Sequence, residues 1–301
     1  MTVLAFDVGG TDVKAALVDA DGTVRTVLRS PTPRAGEDTP VLVVAEIARL
    51  AGELRTTHPD ATPAAAGLVV PGMVDEERGL AVWSENLGWH DAPLRAMARE
   101  ALGVPVAFGH DTAAGGLAER RLGAAAGYDD VAVVTIGTGI AAALVVGGRP
   151  HRGGGLAGEI GHAPVAGSDE PCACGRRGCL EATASAAAIT RRYDARTGTG
   201  VAGARDVLAR ATAGDAVARE IWDSAVVALA FSFAHLVAVL APEAIVVGGG
   251  LAHAGPALFE PLGSQLAAYL TFQRMPALLP ARIGGDAGVL GAALMAQDLI
   301  R

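Results

Sequence analysis

Apolar positions along this chain follow two different periods. Val3–Gly22, "VLAFDVGGTDVKAALVDADG", and Val131–Pro150, "VAVVTIGTGIAAALVVGGRP", each place an apolar run, a Gly/Thr turn and a second apolar run in succession. That is the pattern of a β-hairpin with a polar, glycine-rich tip. Its occurrence twice in one chain suggests an internal duplication. Beyond each hairpin the period lengthens. Pro40–His58 and Ala92–Gly103 carry apolar residues at helical spacing, whereas Ala64–Gly72 and Val104–Asp111 are short apolar runs that end in turn residues, as buried strands do. The second half predicts helices near Glu181–Arg196 and Asp206–Leu240, a strand at Glu243–Gly250 and a last helix from about Gly288 to Ile300. The alternation indicates an α/β protein with two sheets. The duplication places a boundary near Asp111–Thr112, giving an N-terminal α/β domain over 1–111 and a C-terminal one over 112–287, with the helix 288–301 expected to pack back on the first.

The run Ala225–Ala241, "AVVALAFSFAHLVAVLA", approaches the length of a membrane span, but it contains Ser232 and His235 and is flanked by Asp223 and Glu243 rather than by basic anchors. It is expected to be a buried core helix. The first residues, "MTVLAFDVGG", lack a basic region and put Asp7 where an export signal needs an apolar stretch, so a cytoplasmic protein is expected. With 51% hydrophobic residues but only 4% aromatic, the 301-residue chain reads as a soluble α/β protein. A net charge of −8 speaks against a nucleic-acid partner, which needs a basic face. Lys14 is the only lysine, so the GxxxxGK[ST] phosphate loop is absent and a nucleotide must be held another way.

All three cysteines fall within eight residues, in His162-x9-Cys172-x-Cys174-x4-Cys179. An odd number of thiols in a reducing compartment argues against a disulfide framework. One histidine and three cysteines suit a single tetrahedral zinc with no open coordination position, which makes the metal structural. Glu159 stands three residues before this set and Glu181 two residues after it, so a metal that pins the loop also holds two carboxylates in a defined relation, as a polyhydroxyl ligand requires. Asp111 follows an apolar strand and opens a helical run. By itself it reads equally as a helix cap or as a group placed at a strand end for chemistry.

With these residues in view, the chain resembles the ROK family of sugar kinases, whose fold is the two-domain actin-like (ribonuclease-H-like) ATPase fold, here with a zinc-bound loop. The resemblance covers essentially the whole length. It rests on "DVGGT" (Asp7–Thr11), "GLVVPGMVD" (Gly67–Asp75), "ENLGW" (Glu85–Trp89), "GHDTAAGGLAE" (Gly109–Glu119), "TIGTGI" (Thr135–Ile140), "GEIGH" (Gly158–His162), "CACGRRGCLE" (Cys172–Glu181) and "IVVGGG" (Ile245–Gly250). It implies ATP-dependent phosphorylation of a hexose, with Asp111 as general base in the interdomain cleft. It implies a sugar pocket of Gly72, Asn86, His110, Asp111, Glu159, His162 and Glu181. The tips Gly9-Gly10-Thr11 and Gly137-Thr138-Gly139 would offer N–H groups and hydroxyls to phosphates, Asp7 would meet Mg²⁺ through water, and Gly248-Gly249-Gly250 would let adenosine approach the backbone. Trp89 reads equally as a pocket wall or a core contact.

Within the family, repressors carry a helix-turn-helix ahead of the first phosphate turn. With "DVGGT" starting at residue 7, the reading expects the kinase branch. "ENLGW" and the zinc loop resemble the glucokinase-like members, which points to the 6-hydroxyl of glucose. His110 stands where the family usually has asparagine, so another hexose or an N-acetylhexosamine is the alternative. A non-catalytic sugar sensor of the same fold is a further one, against which the presence of both Asp111 and Asp7 speaks. ATP and polyphosphate would meet the same turns. A homodimer is the family expectation. Gly153-x-Gly155-x-x-Gly158 matches a dinucleotide pattern but runs into "EIGH" without the strand–turn–helix context that pattern needs.

Overall fold

In a computed structural model, which describes residues 1–84 and 87–301, the first hairpin is β1 (Thr2–Val8) and β2 (Asp12–Asp19), extended by β3 (Val24–Pro31). There follow α1 (Thr39–Thr57), β4 (Pro63–Val70), the short strands β5 (Met73–Asp75), β6 (Leu80–Ser84) and β7 (Trp89–Ala92), α2 (Leu94–Leu102), β8 (Val106–His110) and α3 (Asp111–Leu122). The second hairpin is β9 (Val131–Ile136) and β10 (Ile140–Val146), extended by β11 (Arg149–His151). Then come α4 (Leu180–Ala184), α5 (Ala186–Thr197), α6 (Ala204–Thr212), α7 (Ala216–Leu240), β12 (Ala244–Gly248), α8 (Pro256–Tyr269), β13 (Ala277–Pro280) and α9 (Ala287–Leu299).

Two compact units result: Met1–Ala118 with Arg152–Leu156 and Gly285–Arg301, and Glu119–His151 with Ala157–Gly284. The division falls inside α3 rather than at Asp111–Thr112. In the first unit the sheet order is β3-β2-β1-β4-β8, with β1, β2 and β3 antiparallel and β1, β4 and β8 parallel. The second unit repeats it as β11-β10-β9-β12-β13, with the same mixture of directions. The repeated hairpin of the sequence is therefore a repeated sheet.

Because side chains alternate across a strand, β1 feeds two cores. Leu4, Phe6 and Val8 meet Val43, Ile47, Leu50 and Leu54 of α1, while Val3 and Ala5 meet Val289, Ala292 and Ala296 of α9. In the second unit Ala132, Val134 and Ile136 face the larger core of α4 to α8, and Val131 and Val133 face a smaller one. Helix α7 is long and apolar enough by composition to cross a membrane, yet Ile221, Trp222, Leu229, Phe233 and Val237 are buried in that core.

Two expected helices are divided. Glu181–Arg196 breaks at Ser185, whose extended backbone ends α4 and whose hydroxyl caps α5 by accepting the Ala188 N–H. Asp206–Leu240 breaks at Gly214 and Asp215, the carboxylate of Asp215 accepting the N–H groups of Val217 and Ala218 to start α7.

Candidate active site

In the first unit, the β1–β2 turn is held from both sides. The Gly9 N–H donates to the Asp12 carbonyl at 2.8 Å, the Thr32 N–H to the Thr11 carbonyl at 2.9 Å and the Thr32 hydroxyl to the Gly9 carbonyl at 2.7 Å, while Arg34 donates to the Gly10 carbonyl. Gly9, Gly10 and Thr11 thus form a braced turn. Asp7 pairs in register with Lys14, whose Nζ lies 3.8 Å from Asp7 Oδ2 and also donates to the Gly285 carbonyl. Helix α9 begins against the same carboxylate: a Cβ on Gly288, its second residue, would lie 2.5 Å from Asp7 Oδ2, so a larger residue there would force the carboxylate to shift. Burial, then the negative charge of Asp111, raises the Asp7 pKa from 3.8 to about 6; Lys14 opposes this, and Asp12 and Asp286 add to it.

Asp111 stands at the junction of β8 and α3, one residue after His110, which pairs with Val70 of β4. Its two oxygens differ. Oδ1 accepts the Thr112 N–H at 2.5 Å and the Thr112 hydroxyl at 3.2 Å, and His110 Nδ1 lies 3.5 Å from it. No hydrogen-bond partner of Oδ2 is found among the described residues. Gly72 lies in the turn before β5 with φ of 94°, and Asn86 is outside the described residues. Trp89 is 1% exposed within the core of this unit, which makes it a core contact rather than a pocket wall.

In the second unit, the Gly137 N–H donates to the Gly139 carbonyl, and the Gly137 carbonyl accepts the N–H of Ala186 at the start of α5. Glu181 Oε2 accepts the Ile140 N–H at 2.8 Å, so α4 and α5 both grip the β9–β10 turn. Gly248 pairs with Thr135, and a Cβ on Gly249 would lie 2.4 Å from the Ile136 carbonyl, which brings the end of β12 against the same turn. Beside Thr138 opens a cavity of about 430 Å³, lined by Ala186, Ala187, Thr190, Arg191 and the stretch 202–204. Gly248–Gly250 do not line it.

The segment Gly158–His162 lies along β10. The Ala142 N–H donates to the Gly158 carbonyl at 2.8 Å, and Cβ atoms on Gly158 and Gly161 would fall 1.8 Å and 2.1 Å from the carbonyl oxygens of Ala142 and Ile140. Only glycine at these two positions allows the approach, which fixes the backbone of Glu159 between them and of His162 directly after. His162 turns its two ring nitrogens to different tasks. Nδ1 is 3.7 Å from Cys172 Sγ, and Nε2 is 4.0 Å from Glu159 Oε2.

The cysteine loop doubles back through the bridges Pro164 to Cys179 and Pro171 to Arg177, and the Leu180 N–H donates to the Ala163 carbonyl. The ligand atoms of His162, Cys172, Cys174 and Cys179 all lie within 4.8 Å of one another, with Cys174 Sγ and Cys179 Sγ 3.7 Å apart. Neighbouring ligands of a tetrahedral ion with metal–sulfur bonds of about 2.3 Å and metal–nitrogen bonds of about 2.0 Å stand roughly 3.5–3.8 Å apart. The observed 3.7 Å pairs fit, so the set is able to coordinate a metal of the zinc type. Burial and the two neighbouring thiols push the Cys179 thiol up to about 12, while the Arg176 N–H lowers Cys174. A bound cation would hold these sulfurs as thiolates.

The ROK family model matches residues 3–299. The chain belongs to the ROK family. The chain is 32% identical to a glucokinase of Halalkalibacterium halodurans over 98% of its own length and 94% of that protein, and 34% identical to an N-acetylmannosamine kinase of Escherichia coli O1:K1 over the whole of both. Among solved structures, the ROK hexokinase of Thermus thermophilus superposes with a TM-score of 0.87 at 34% identity, covering 100% of this chain and 99% of that one. A ROK glucokinase of Streptomyces griseus in complex with glucose and AMPPNP gives 0.84 at 27% identity, covering 99% and 100%. This ROK protein is a sugar kinase, a phosphotransferase that uses ATP to phosphorylate a sugar.

Sequence reasoning missed several residues at these places. The sequence marks Lys14 only as the sole lysine, although hairpin pairing sets it opposite Asp7. Thr112, Gly288, Arg191 and the stretch 202–204 carried no local signal.

Proposed function

We propose that this ROK kinase transfers the γ-phosphoryl group of ATP to the 6-hydroxyl of glucose, with Asp111 as the general base. The observation that carries the reading is the division of labour in the Asp111 carboxylate: Oδ1 is engaged by Thr112, and Oδ2 has no protein partner among the described residues. A base oriented by one oxygen and free at the other is placed to accept a hydroxyl proton. Gly72, Asn86, His110, Glu159, His162 and Glu181 would hold the sugar, with His162 presenting Nε2 toward Glu159 while Nδ1 faces the metal ligands. Gly9, Gly10, Thr11, Gly137, Thr138 and Gly139 would receive the phosphates, and Gly248, Gly249 and Gly250 with the cavity beside Thr138 would take the nucleoside.

Mg²⁺ suits the first unit, because the charges of Asp111, Asp12 and Asp286 all bear on Asp7 there, with Lys14 as the counter-charge beside it. Asp7 would hold it through water, and the ion would shield the triphosphate from these carboxylates. Zn²⁺ suits His162, Cys172, Cys174 and Cys179, where it would pin the loop between Glu159 and Glu181 without taking part in the reaction. The need for ATP fits a cytoplasmic enzyme, and we read it as a homodimer. N-acetylhexosamine is the second reading, favoured by His110 and by the 34% identity to an N-acetylmannosamine kinase.

The test is incubation with Mg-ATP and a panel of hexoses and N-acetylhexosamines, following ADP and sugar-phosphate mass, beside Asp111→Asn. Glucose turnover that falls by about 10²–10⁴-fold in the variant is expected for loss of a general base. Preferred turnover of an N-acetylhexosamine replaces glucose with the second reading, and an Asp111→Asn enzyme as fast as the parent removes Asp111 as base.

A further inference from the structure

The carbonyls of the β1–β2 turn all face one segment of the chain. Those of Gly9, Gly10 and Thr11 accept, in order, the Thr32 hydroxyl at 2.7 Å, the Arg34 guanidinium and the Thr32 N–H at 2.9 Å. The C=O and N–H of a trans peptide point in opposite directions, and no peptide here is cis. Carbonyls drawn toward 32–34 therefore turn the N–H groups of Gly10 and Thr11 the other way. Neither N–H has a hydrogen-bond partner among the described residues, and Thr11 is exposed. Successive N–H groups left open in a turn favour an anion.

Water could satisfy these carbonyls equally well, so two side chains dedicated to them need a reason. Thr32 is 8% exposed, with its hydroxyl held on Gly9. Arg34 is exposed and meets no carboxylate among the described residues, whereas Lys14 pairs with Asp7, and Arg29 with Asp12 and Asp286. We propose that Thr32 and Arg34 are positioning residues of the donor site: by holding the carbonyls of Gly9 and Gly10 behind the turn, they keep the N–H groups of Gly10 and Thr11 aimed at the donor phosphates. The proposal rests on the reading of this turn as a phosphate site. A valine at 32 keeps the shape of threonine and the backbone bond to Thr11 but loses the hydroxyl, and a methionine at 34 loses the guanidinium. Either change frees a carbonyl to swing toward the phosphates, which its negative end repels.

The experiment compares Thr32→Val, Thr32→Ser, Arg34→Met, Arg34→Lys and Thr11→Glu with the parent. Mg-ATP affinity is read from KM and from the rise in melting temperature that Mg-ATP produces, sugar affinity from KM, and fold from circular dichroism. Thr32→Val and Arg34→Met are expected to weaken Mg-ATP by roughly two- to tenfold, the range of one hydrogen bond, with the sugar KM unchanged. Thr32→Ser and Arg34→Lys, which keep a donor in place, should recover most of that loss. Because Arg34 is exposed, Arg34→Met keeps its fold and decides the matter if Thr32→Val does not. Thr11→Glu sets a carboxylate on the exposed side of the turn and should weaken Mg-ATP about tenfold or more by like-charge repulsion. Parental Mg-ATP affinity in folded Thr32→Val and Arg34→Met, or an equal loss of sugar affinity, overturns the positioning role. If Thr11→Glu is weakened while those two match the parent, only that role falls. If Thr11→Glu binds Mg-ATP like the parent, the reading of the turn as a phosphate site falls and the proposal with it.

Discussion

Asp7→Asn is expected to make the protein more stable at neutral pH while abolishing its use of Mg-ATP. The carboxyl titrates near 6 when folded against an ordinary 3.8, mainly because it is buried and faces Asp111. Below pH 3.8 it is protonated in folded and unfolded chains alike and the shift costs nothing. Between 3.8 and 6 the unfolded chain has released its proton and the folded one still holds it, so stability falls as pH rises and stays low above 6. The difference of 2.2 between the two values, at about 1.4 kcal/mol for each tenfold, amounts to roughly 3 kcal/mol at pH 7. Asparagine removes the charge and that cost.

Thermal denaturation monitored by circular dichroism from pH 4.5 to 8, without nucleotide or metal, measures the effect. The melting temperature of Asp7→Asn should exceed the parent's by several degrees at pH 7.5, given about 2–4 °C for each kcal/mol in a unit of this size. The gap should close as pH falls toward 4. A variant no more stable than the parent at pH 7.5, or a gap that ignores pH, would refute the assignment of a strained, ionised Asp7 beside Asp111. Mg-ATP is expected to raise the parent's melting temperature and leave the variant's unchanged.

Two further expectations concern the second unit. Cys179→Ser removes the buried member of the four, so metal analysis should find one zinc per chain in the parent and little in the variant. The melting temperature and sugar affinity should fall together, since structural zinc contributes on the order of 10 kcal/mol to comparable sites; full zinc content with parental KM would count against the site. Gly161→Ala puts a methyl 2.1 Å from the Ile140 carbonyl. It should cost about 1–3 kcal/mol of stability and raise the sugar KM by displacing Glu159 and His162, whereas parental KM would show that the segment does not present them.

What was legible in the sequence was whatever is local. The hairpins show because alternation in β1 and β9 runs unbroken to a Gly/Thr turn, and the metal cluster shows because its ligands lie within 18 residues of one another, from His162 to Cys179. The strands β5, β6 and β7 escaped because three to five residues give no period to read. Helix α8 escaped because Pro256 and Pro261 both lie in it, although a proline in the first turn lacks only an N–H that has no intrahelical use. The surroundings of Asp7 could not be read at all. Lys14 and Gly285, which meet there, are 271 residues apart, and nothing in either segment names the other. In the same way Asp111 could be read as a helix start, but not that Thr112 takes only one of its oxygens.

The repeated sheet also lets the two Gly/Thr turns be compared position by position. Asp7 and Thr135 hold the same place, each two residues before the first glycine of its turn, and their partners in register are Lys14 and Ala141. One copy therefore carries an acid and a base, and the other is neutral. A carboxylate about 4 Å from a phosphate oxygen repels it by roughly 4 kcal/mol at an effective dielectric constant near 20, unless a cation stands between them. A second acid at Thr135 would add that repulsion and would require a second cation. A neutral turn offers its N–H groups at no such cost. In the function proposed above, the first turn, already burdened by an Asp7 raised to about 6, is where a divalent ion would relieve the protein and the triphosphate at once. The asymmetry between two copies of one hairpin is thus what the proposed function expects of an anionic substrate that brings a single cation.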